Sequence, residues 1–124
     1  MRGGLLAIQA ITLAEHRESH YSAKSDFIQQ YIFPGGYLPT FSGLISELSN
    51  GRELSPVETH SFPDSYADTL MLWDKNIDSM YHATADRYNI EREFWLLWKF
   101  YFAYCAAGFR ERSISVSQLY FRKD

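Results

Sequence analysis

Few side chains in this sequence have the type and spacing that chemistry requires, and Tyr66 is the most informative of them. It falls on the first turn of a helix that begins at Pro63-Asp64, where backbone N–H groups without intrahelical partners favour a bound anion. A phenol at that position can donate a hydrogen bond to an oxyanion. The alternative is a partly buried tyrosine that packs against Trp73, and the residues alone do not separate the two interpretations.

Two histidines and one cysteine are the other candidates for chemistry. His16 and His20 are four residues apart and would share a helix face, as zinc ligands can. No third ligand of suitable type is near them, so a solvated connection over Ala14–Lys24 is favoured. Cys105 has no adjacent base, which favours a small core residue over a nucleophile. The sequence contains no glycine-rich nucleotide loop, P-loop or metal-binding cluster.

The composition bounds the class of protein. The 124 residues are 46% hydrophobic and 22% charged with a net charge of −3, which suits one domain, residues 1–124, with a modest core. No basic stripe or nucleic-acid motif is present, so no nucleic-acid partner is expected. No apolar run reaches the ~20 residues of a membrane-spanning helix. We therefore expect a cytoplasmic domain whose membrane contact would be peripheral, at the inner surface.

Hydrophobic patterns predict strands at both ends of the chain and two long helices between them. Leu5–Thr12 predicts a strand buried on both faces, as in a parallel sheet, with Gln9 as a buried amide that needs hydrogen-bond partners. Long helices are predicted from Pro63 to about Tyr88 and over Ile90–Gly108, the second buried on most of its sides. The remaining predicted elements are a short helix over Phe41–Leu48, a weak edge strand around Val57–His60 and a last strand over Ser113–Phe121.

A short apolar helix and an abrupt break are predicted at Phe27–Thr40, whose sequence is FIQQYIFPGGYLPT. Ser25 and Asp26 are candidate N-caps of the helix. Pro34 lacks the N–H that a helix would need next, and the two glycines after it permit backbone angles that other residues avoid. Such a loop is either a tight structural corner or the wall of a pocket, and composition alone favours the corner.

The same segment resembles a signature of the cyclopropane-fatty-acyl-phospholipid synthase family, S-adenosylmethionine-dependent methyltransferases that act on unsaturated lipid chains. Three further segments are similar to that family in the family's order: GGLLAIQAIT at Gly3–Thr12, SFPDSYADTLMLW at Ser61–Trp73, and the closing helix and strand at Trp98–Lys123. The resemblance covers nearly all 124 residues. The N-terminal half of such an enzyme is not in this sequence.

The resemblance implies a fold and a partner. The fold is α/β, the C-terminal part of a class I, Rossmann-like methyltransferase, with a three-stranded sheet of strands five, six and seven in the order 5-7-6 and two long helices. The outer edge of Leu5–Thr12 would then lack strand four, and an uncovered edge recruits another strand. We therefore expect either a homodimer through that edge or a separately encoded N-terminal half.

The resemblance also implies an anion site. In the family, a bound bicarbonate is proposed to remove a proton after methyl transfer to the alkene. The family's tyrosine ligand falls on Tyr66, its histidine position on Gln9 and a backbone N–H contributor on Ile11, while its glutamate ligand would lie in the missing half. Glutamine at position 9 departs from the histidine of many members, which makes the bicarbonate route less certain.

Methyl transfer to a double bond creates a carbocation, so the acyl-chain site must be dry and lined by π faces. The residues expected to line it, with core packing as their alternative, are Tyr31, Phe33, Gly35, Gly36, Tyr37, Trp98, Tyr101 and Tyr104. Without the glycine-rich loop and the acid that grips the ribose, this polypeptide alone is not expected to bind S-adenosylmethionine. The expected function is therefore the substrate side of a phospholipid-modifying methyltransferase, inactive alone. The alternative is a non-catalytic dimeric interaction or acyl-chain-binding protein.

Overall fold

The structure, a computed structural model, describes residues 3–51 and 53–124. Three short helices separate the first two strands and two long helices separate the second strand from the third, with a 3-10 turn at Glu15–Arg17 after the first strand. The strands are β1 (Leu5–Leu13), β2 (Leu54–Ser61) and β3 (Ile114–Lys123). The helices are α1 (Glu18–Ala23), α2 (Phe27–Tyr31), α3 (Phe41–Ser49), α4 (Pro63–Tyr88) and α5 (Arg92–Arg110).

The three strands form one sheet in the order β1-β3-β2, which confirms the predicted 5-7-6 arrangement. Both outer strands pair antiparallel with β3, so that Gln9 lies opposite Gln118 on one side and His60 lies opposite the same residue on the other. The register of β2 shifts between Pro56 and Glu58, because a proline cannot donate to the ladder. The outer edge of β1 has one bridge, between Leu13 and Thr40, in the described part of the chain.

The prediction that the first strand is buried on both faces was wrong. Leu5 is 78% exposed, Gln9 is exposed, and the strand runs antiparallel to its neighbour. The apolar side chains of Leu5–Leu13 are suited to burial, but they are buried only where a neighbouring element covers them. Gln9 is therefore not a buried amide, and its Oε1 accepts a hydrogen bond from Gln118 Nε2 at 3.2 Å.

The core lies between the two long helices and β3. Helix α4 begins with Pro63 in its first turn and ends before Asn89, which adopts the left-handed conformation (φ 49°) typical of a helix C-terminus. The three-residue connection turns the chain back, so α4 and α5 pack side by side as a helical hairpin. The buried residues of this cluster are Ala67 and Leu70 of α4, Phe102, Cys105, Ala106 and Phe109 of α5, and Val116 of β3.

Helix α5 is buried on one face, so the prediction of burial on most sides was wrong. Its buried residues recur at i, i+3, i+4 and i+7, from Phe102 to Phe109, which is a single helical stripe. Outside that stripe several aromatic rings face solvent, and Phe100 is 55% exposed. The helix continues past Gly108, where a Cβ would lie 3.2 Å from Ile114 Cγ1. Gly108 thus marks a close approach to the start of β3 and does not end the helix as predicted.

Candidate functional site

The Pro34-Gly35-Gly36 break is a tight corner fastened to the helix before it. Asp26 Oδ1 accepts from Ile28 N at 2.6 Å, and Gln29 Oε1 accepts from Asp26 N at 2.8 Å, which together cap α2. Gln29 Nε2 also donates to Gly36 O at 2.8 Å. Gly35 has φ 78°, a conformation that favours glycine. The corner interpretation is therefore confirmed, and Asp26 and Gln29 fix the loop's position.

The corner presents Phe33 to helix α5. The Phe33 ring lies 6.4 Å from the Trp98 ring and 5.9 Å from the Tyr101 ring, both in edge-on contact. Trp98 and Tyr101 lie 5.3 Å apart, also edge-on. Three of the predicted lining residues are thus brought together, and Phe33 remains 51% exposed. Exposed π faces at this point are available to a ligand or to another part of a larger protein.

Tyr66 belongs to the same aromatic group. Its ring lies 5.0 Å from Phe109 and 6.4 Å from Trp73. Trp73 and Trp98 both lie 5.9 Å from Phe102, which lies between them. The packing against Trp73 considered for Tyr66 therefore exists, and the same packing places Tyr66 next to the predicted lining. We call the set Phe33, Tyr66, Trp73, Trp98, Tyr101 and Phe102 the aromatic surface.

Tyr101 is a partly buried phenol of this surface. Burial raises its pKa, and the neighbouring Cys105, which shares a hydrogen bond with it, and Tyr66 raise the pKa further. The Tyr101 hydroxyl is thus neutral at physiological pH and can donate a hydrogen bond. The electrostatic influence of Tyr66 on Tyr101 also indicates that the two phenols lie close together.

The two β1 residues of the predicted anion site lie on the same face of the sheet as Tyr66. Ile11 packs against the core cluster, as does Tyr66. Gln9 is two residues earlier and so points to the same face. Because Leu13 N donates to Pro39 O on the outer edge, the alternation of a strand places the Ile11 N–H on that edge too. The Ile11 N–H therefore faces away from β3.

A hydrogen-bond chain on β3 orients the Gln9 amide. Tyr120 donates through its hydroxyl to Gln118 Oε1 at 3.2 Å, and Gln118 Nε2 donates to Gln9 Oε1 at 3.2 Å. With its oxygen engaged, the Gln9 NH₂ group is left as a donor. Each of the three predicted residues thus has a donor of the kind that binds an anion, the Tyr66 hydroxyl, the Gln9 NH₂ and the Ile11 N–H. That they bind one stays a prediction.

The other predicted lining residues lie apart from the aromatic surface. Tyr37 packs against Tyr21, with ring centroids 5.4 Å apart. Tyr31 and Tyr104 pack around Phe27, at 5.8 and 6.1 Å. The aromatic residues of the predicted wall are therefore divided into three groups, and acyl-chain binding by any of them remains a prediction.

Sequence reasoning missed two features. Trp73 was considered only as packing, although it joins Tyr66 to Phe102. The stretch interpreted as a solvated connection contains Arg17, His20 and Lys24, which line a cavity beside α5. Their spacing of three and four residues was the available signal for a shared helix face. Among residues 3–51 and 53–124, no group of three His, Cys, Asp or Glu could hold a metal ion.

The sheet order and the helix pair define a class of protein. They match the mycolic acid cyclopropane synthase CmaA1, whose structure was determined in complex with SAH and CTAB, with a TM-score of 0.83 and 25% identity over 98% of this chain and 45% of that one. The described residues therefore have the C-terminal part of an S-adenosylmethionine-dependent methyltransferase fold.

No helix in the described ranges is long and apolar enough to cross a membrane.

Curated relatives agree with this class. The chain is 37% identical over 120 residues to tuberculostearic acid methyltransferase UfaA1 of Mycobacterium tuberculosis (strain ATCC 25618 / H37Rv), covering 94% of this chain and 27% of that protein. It is 30% identical over 99 residues to cyclopropane-fatty-acyl-phospholipid synthase of Escherichia coli (strain K12), covering 78% and 24%. The chain thus spans about a quarter of the length of these relatives.

The family model for mycolic acid cyclopropane synthetase matches residues 1–119. The chain belongs to this family, and the resemblance stated from its sequence is confirmed.

Proposed function

We propose that this chain is the C-terminal, substrate-side portion of a methyltransferase that modifies unsaturated acyl chains of phospholipids. The observation that carries the proposal is the aromatic surface, which includes Tyr66, in a chain of this family. Its rings lie on one side of the α4–α5 pair and reach the Pro34-Gly35-Gly36 corner. The aromatic surface contains no charged side chain, so an acyl chain lying there would contact aromatic rings.

The chemistry of the reaction suits such a surface. Adding a methyl group to an alkene leaves a positive charge on carbon, which π faces stabilise and which water would capture. Phe33, Trp98 and Tyr101 offer these faces, and Tyr101 carries no charge at physiological pH. The role proposed for the surface is to bind the alkene and exclude water from it.

The donors on and beside β1 would hold an anion next to this surface. A bicarbonate bound there would supply the base that removes a proton from the methylated chain. Each of the three residues can donate to an anion, Tyr66 through its hydroxyl, Gln9 through its NH₂ group and Ile11 through its backbone N–H. Gln118 holds the Gln9 oxygen, so that the Gln9 NH₂ group would face the anion.

The residues present do not fit S-adenosylmethionine. Glycines with positive φ in the described ranges are Gly3, Gly35 and Gly51, and none joins the end of a strand to the start of a helix, where a nucleotide-binding turn would be. We therefore propose that the cofactor is bound by an N-terminal portion that pairs with the outer edge of β1. Calorimetric titration of the 124-residue chain with S-adenosylmethionine tests this, and micromolar affinity would contradict it.

A chimera tests the function itself. The last ~120 residues of the M. tuberculosis methyltransferase, the part that matches, would be replaced by this chain. We expect transfer of labelled methyl from S-adenosylmethionine to a dioleoyl phospholipid, reduced about tenfold or more by Tyr66→Phe, since removing one donor to developing charge has at least that effect. The matched control is Tyr88→Phe, because Tyr88 is an exposed tyrosine at the far end of the same helix. A folded chimera without transfer, or equal activities of the two variants, would refute the proposal.

The open edge of β1 supports a second candidate, a non-catalytic dimer. Two copies could pair through this edge, since Leu5 is exposed there and unpaired strand groups recruit a partner. Light scattering after size-exclusion chromatography distinguishes the candidates. A stable monomer at micromolar concentration would count against the dimer, whereas a dimer that exchanges for the N-terminal portion of a relative would be compatible with both.

A further inference from the structure

A cavity of about 520 Å³ lies between α1, α2 and the C-terminal half of α5. Its volume is within the range of small-molecule sites, ~300–1,000 Å³. The apolar part of its lining includes Leu13 of β1, Ile28 of α2, Cys105 and Ala107 of α5, Ile114 of β3, and Leu38 of the loop after α2. Tyr104 is the one predicted lining residue that reaches this cavity. None of the six residues of the aromatic surface lines it.

One side of the cavity is basic. Arg17, His20 and Lys24 all line it, at the N-cap, in the body and at the C-cap of α1, so they share one helix face. None of these three side chains makes a hydrogen bond or salt bridge within the described part of the chain. Arg17 opposes the rise that burial causes in the pKa of Tyr104, which places the guanidinium near that phenol.

Two acids, Asp26 and Glu111, also line the cavity, and hydrogen bonds within the protein engage the carboxylate of Asp26. Asp26 Oδ1 accepts from Ile28 N at 2.6 Å and its Oδ2 accepts from the Tyr104 hydroxyl at 3.4 Å. The Asp26 carboxylate therefore caps α2 and accepts a hydrogen bond from the Tyr104 hydroxyl. Glu111 is exposed. Two permanent cations with no protein partner, Arg17 and Lys24, thus face an apolar lining.

We propose that this cavity binds the anionic head of a lipid, a phosphate or carboxylate, together with the first methylenes of its chain. Arg17 and Lys24 bind the anion, and Ile28, Cys105 and Ile114 contact the methylenes. The inference rests on the proposed function only in taking a lipid as the ligand. Its test measures binding and not methyl transfer, so either proposal can fail while the other stands.

The test is calorimetric titration of the 124-residue chain with four probes, each below its critical micelle concentration. Dodecyl phosphate and laurate carry the two anionic heads, dodecyltrimethylammonium carries a cationic head on the same chain, and inorganic phosphate has no chain. We expect both anionic amphiphiles to bind at least about tenfold more tightly than the cationic one, the effect of one charged hydrogen bond. Inorganic phosphate should bind at least about tenfold more weakly than dodecyl phosphate, because it buries no methylene.

Two variants separate the parts of the site. Arg17→Gln with Lys24→Gln should weaken both anionic amphiphiles about tenfold or more, and both positions are exposed, so the fold should persist. The matched control is Lys75→Gln with Arg92→Gln, two exposed cations outside the cavity. Ala107→Phe fills part of the cavity and should weaken dodecyl phosphate while leaving inorganic phosphate unchanged.

The outcomes are separable. Preference for the anionic heads that is lost in the Arg17 and Lys24 variant and kept in the control supports the site. Equal affinity for the cationic and anionic amphiphiles, or equal affinity of that variant and wild type, overturns it. If inorganic phosphate binds as tightly as dodecyl phosphate, or if Ala107→Phe has no effect, the site holds an anion without a lipid chain, and the proposal is wrong.

Discussion

Lys99 fastens α5 to α4, and replacing it by methionine tests how the helix pair that carries the aromatic surface is held together. Its Nζ donates to Asp74 Oδ1 at 2.9 Å and to Asp78 Oδ2 at 2.6 Å. The Lys99 and Asp74 side chains are 30% and 20% exposed, whereas Asp78 is 62% exposed. Methionine keeps an apolar stem of similar length and removes the charge and both hydrogen bonds.

The size of the effect follows from these exposures. A solvent-exposed pair such as that with Asp78 contributes ~0.2–1 kcal/mol. A hydrogen bond to a charged group in a less exposed setting contributes ~1.5–3 kcal/mol, and the Asp74 carboxylate would be left without its cation. We therefore expect Lys99→Met to lower the free energy of unfolding by about 2 kcal/mol. At about 4 °C per kcal/mol for a domain of this size, Tm would fall by about 8 °C.

Urea and thermal unfolding followed by circular dichroism would measure this loss. Lys75→Met is the matched control, because Lys75 is an exposed lysine of α4 outside these ion pairs, and its effect should stay below about 0.5 kcal/mol. In a double-mutant cycle with Asp74→Asn, the two losses should be non-additive by about 1 kcal/mol. Equal effects of the two lysine variants, or additive losses in the cycle, would refute the reasoning.

The pH dependence gives an independent check. The hydrogen bonds that Lys99 donates to Asp78 and Asp74 raise its pKa above the ordinary value of 10.5. A raised lysine pKa means that the stabilisation is complete below pH 10.5 and is lost as the pH rises through the folded-state value. The difference in stability between wild type and Lys99→Met should therefore be constant near neutral pH and decline above pH 10.5. A decline that begins near neutral pH would contradict this assignment.

Two further predictions concern α2 and the core cysteine. Asp26→Ala removes the cap that holds α2 and should lower the free energy of unfolding by about 1 kcal/mol, whereas Ser25→Ala, the alternative cap, should have little effect; equal effects would contradict the capping assignment. Burial raises the pKa of the Cys105 thiol to about 11 from 9.0, so at pH 8 iodoacetamide should react at least about a hundredfold more slowly with the folded chain than with the urea-unfolded one. Comparable rates would show that the thiol is not buried.

The local features of this fold could be predicted because local chemistry determines them. Pro63 fixes the start of α4, and Tyr88 ends it as the spacing of apolar residues indicated. The Pro34-Gly35-Gly36 corner followed from a missing N–H and a glycine at positive φ. Thr40 caps α3 through its Oγ1, which accepts from Gly43 N at 3.2 Å. These outcomes depend on residues a few positions apart.

Burial and the site could be predicted only in part, because they depend on which elements meet in space. The aromatic residues predicted to form one wall do not all lie together in the fold, since Tyr37 packs on Tyr21 and not on α5. The spacing of aromatic residues within one segment is the same whether the fold buries them or leaves them exposed. Arg17 and Lys24 were missed as cavity residues for the same reason, since the cavity exists only where α1 meets α5.

The errors in predicted burial have a common physical cause. Leu5 of β1 and Phe100 of α5 are exposed although their segments are apolar enough to suggest burial. An apolar segment is selected for the surface that covers it in the assembled protein, and exposed apolar patches mark interaction sites. Relatives of this chain carry about three quarters of their length outside the matched part. The exposed edge of β1 and the outer rings of α5 are therefore the surfaces where we infer that the proposed N-terminal portion binds, and the same contact would shield the aromatic surface from water.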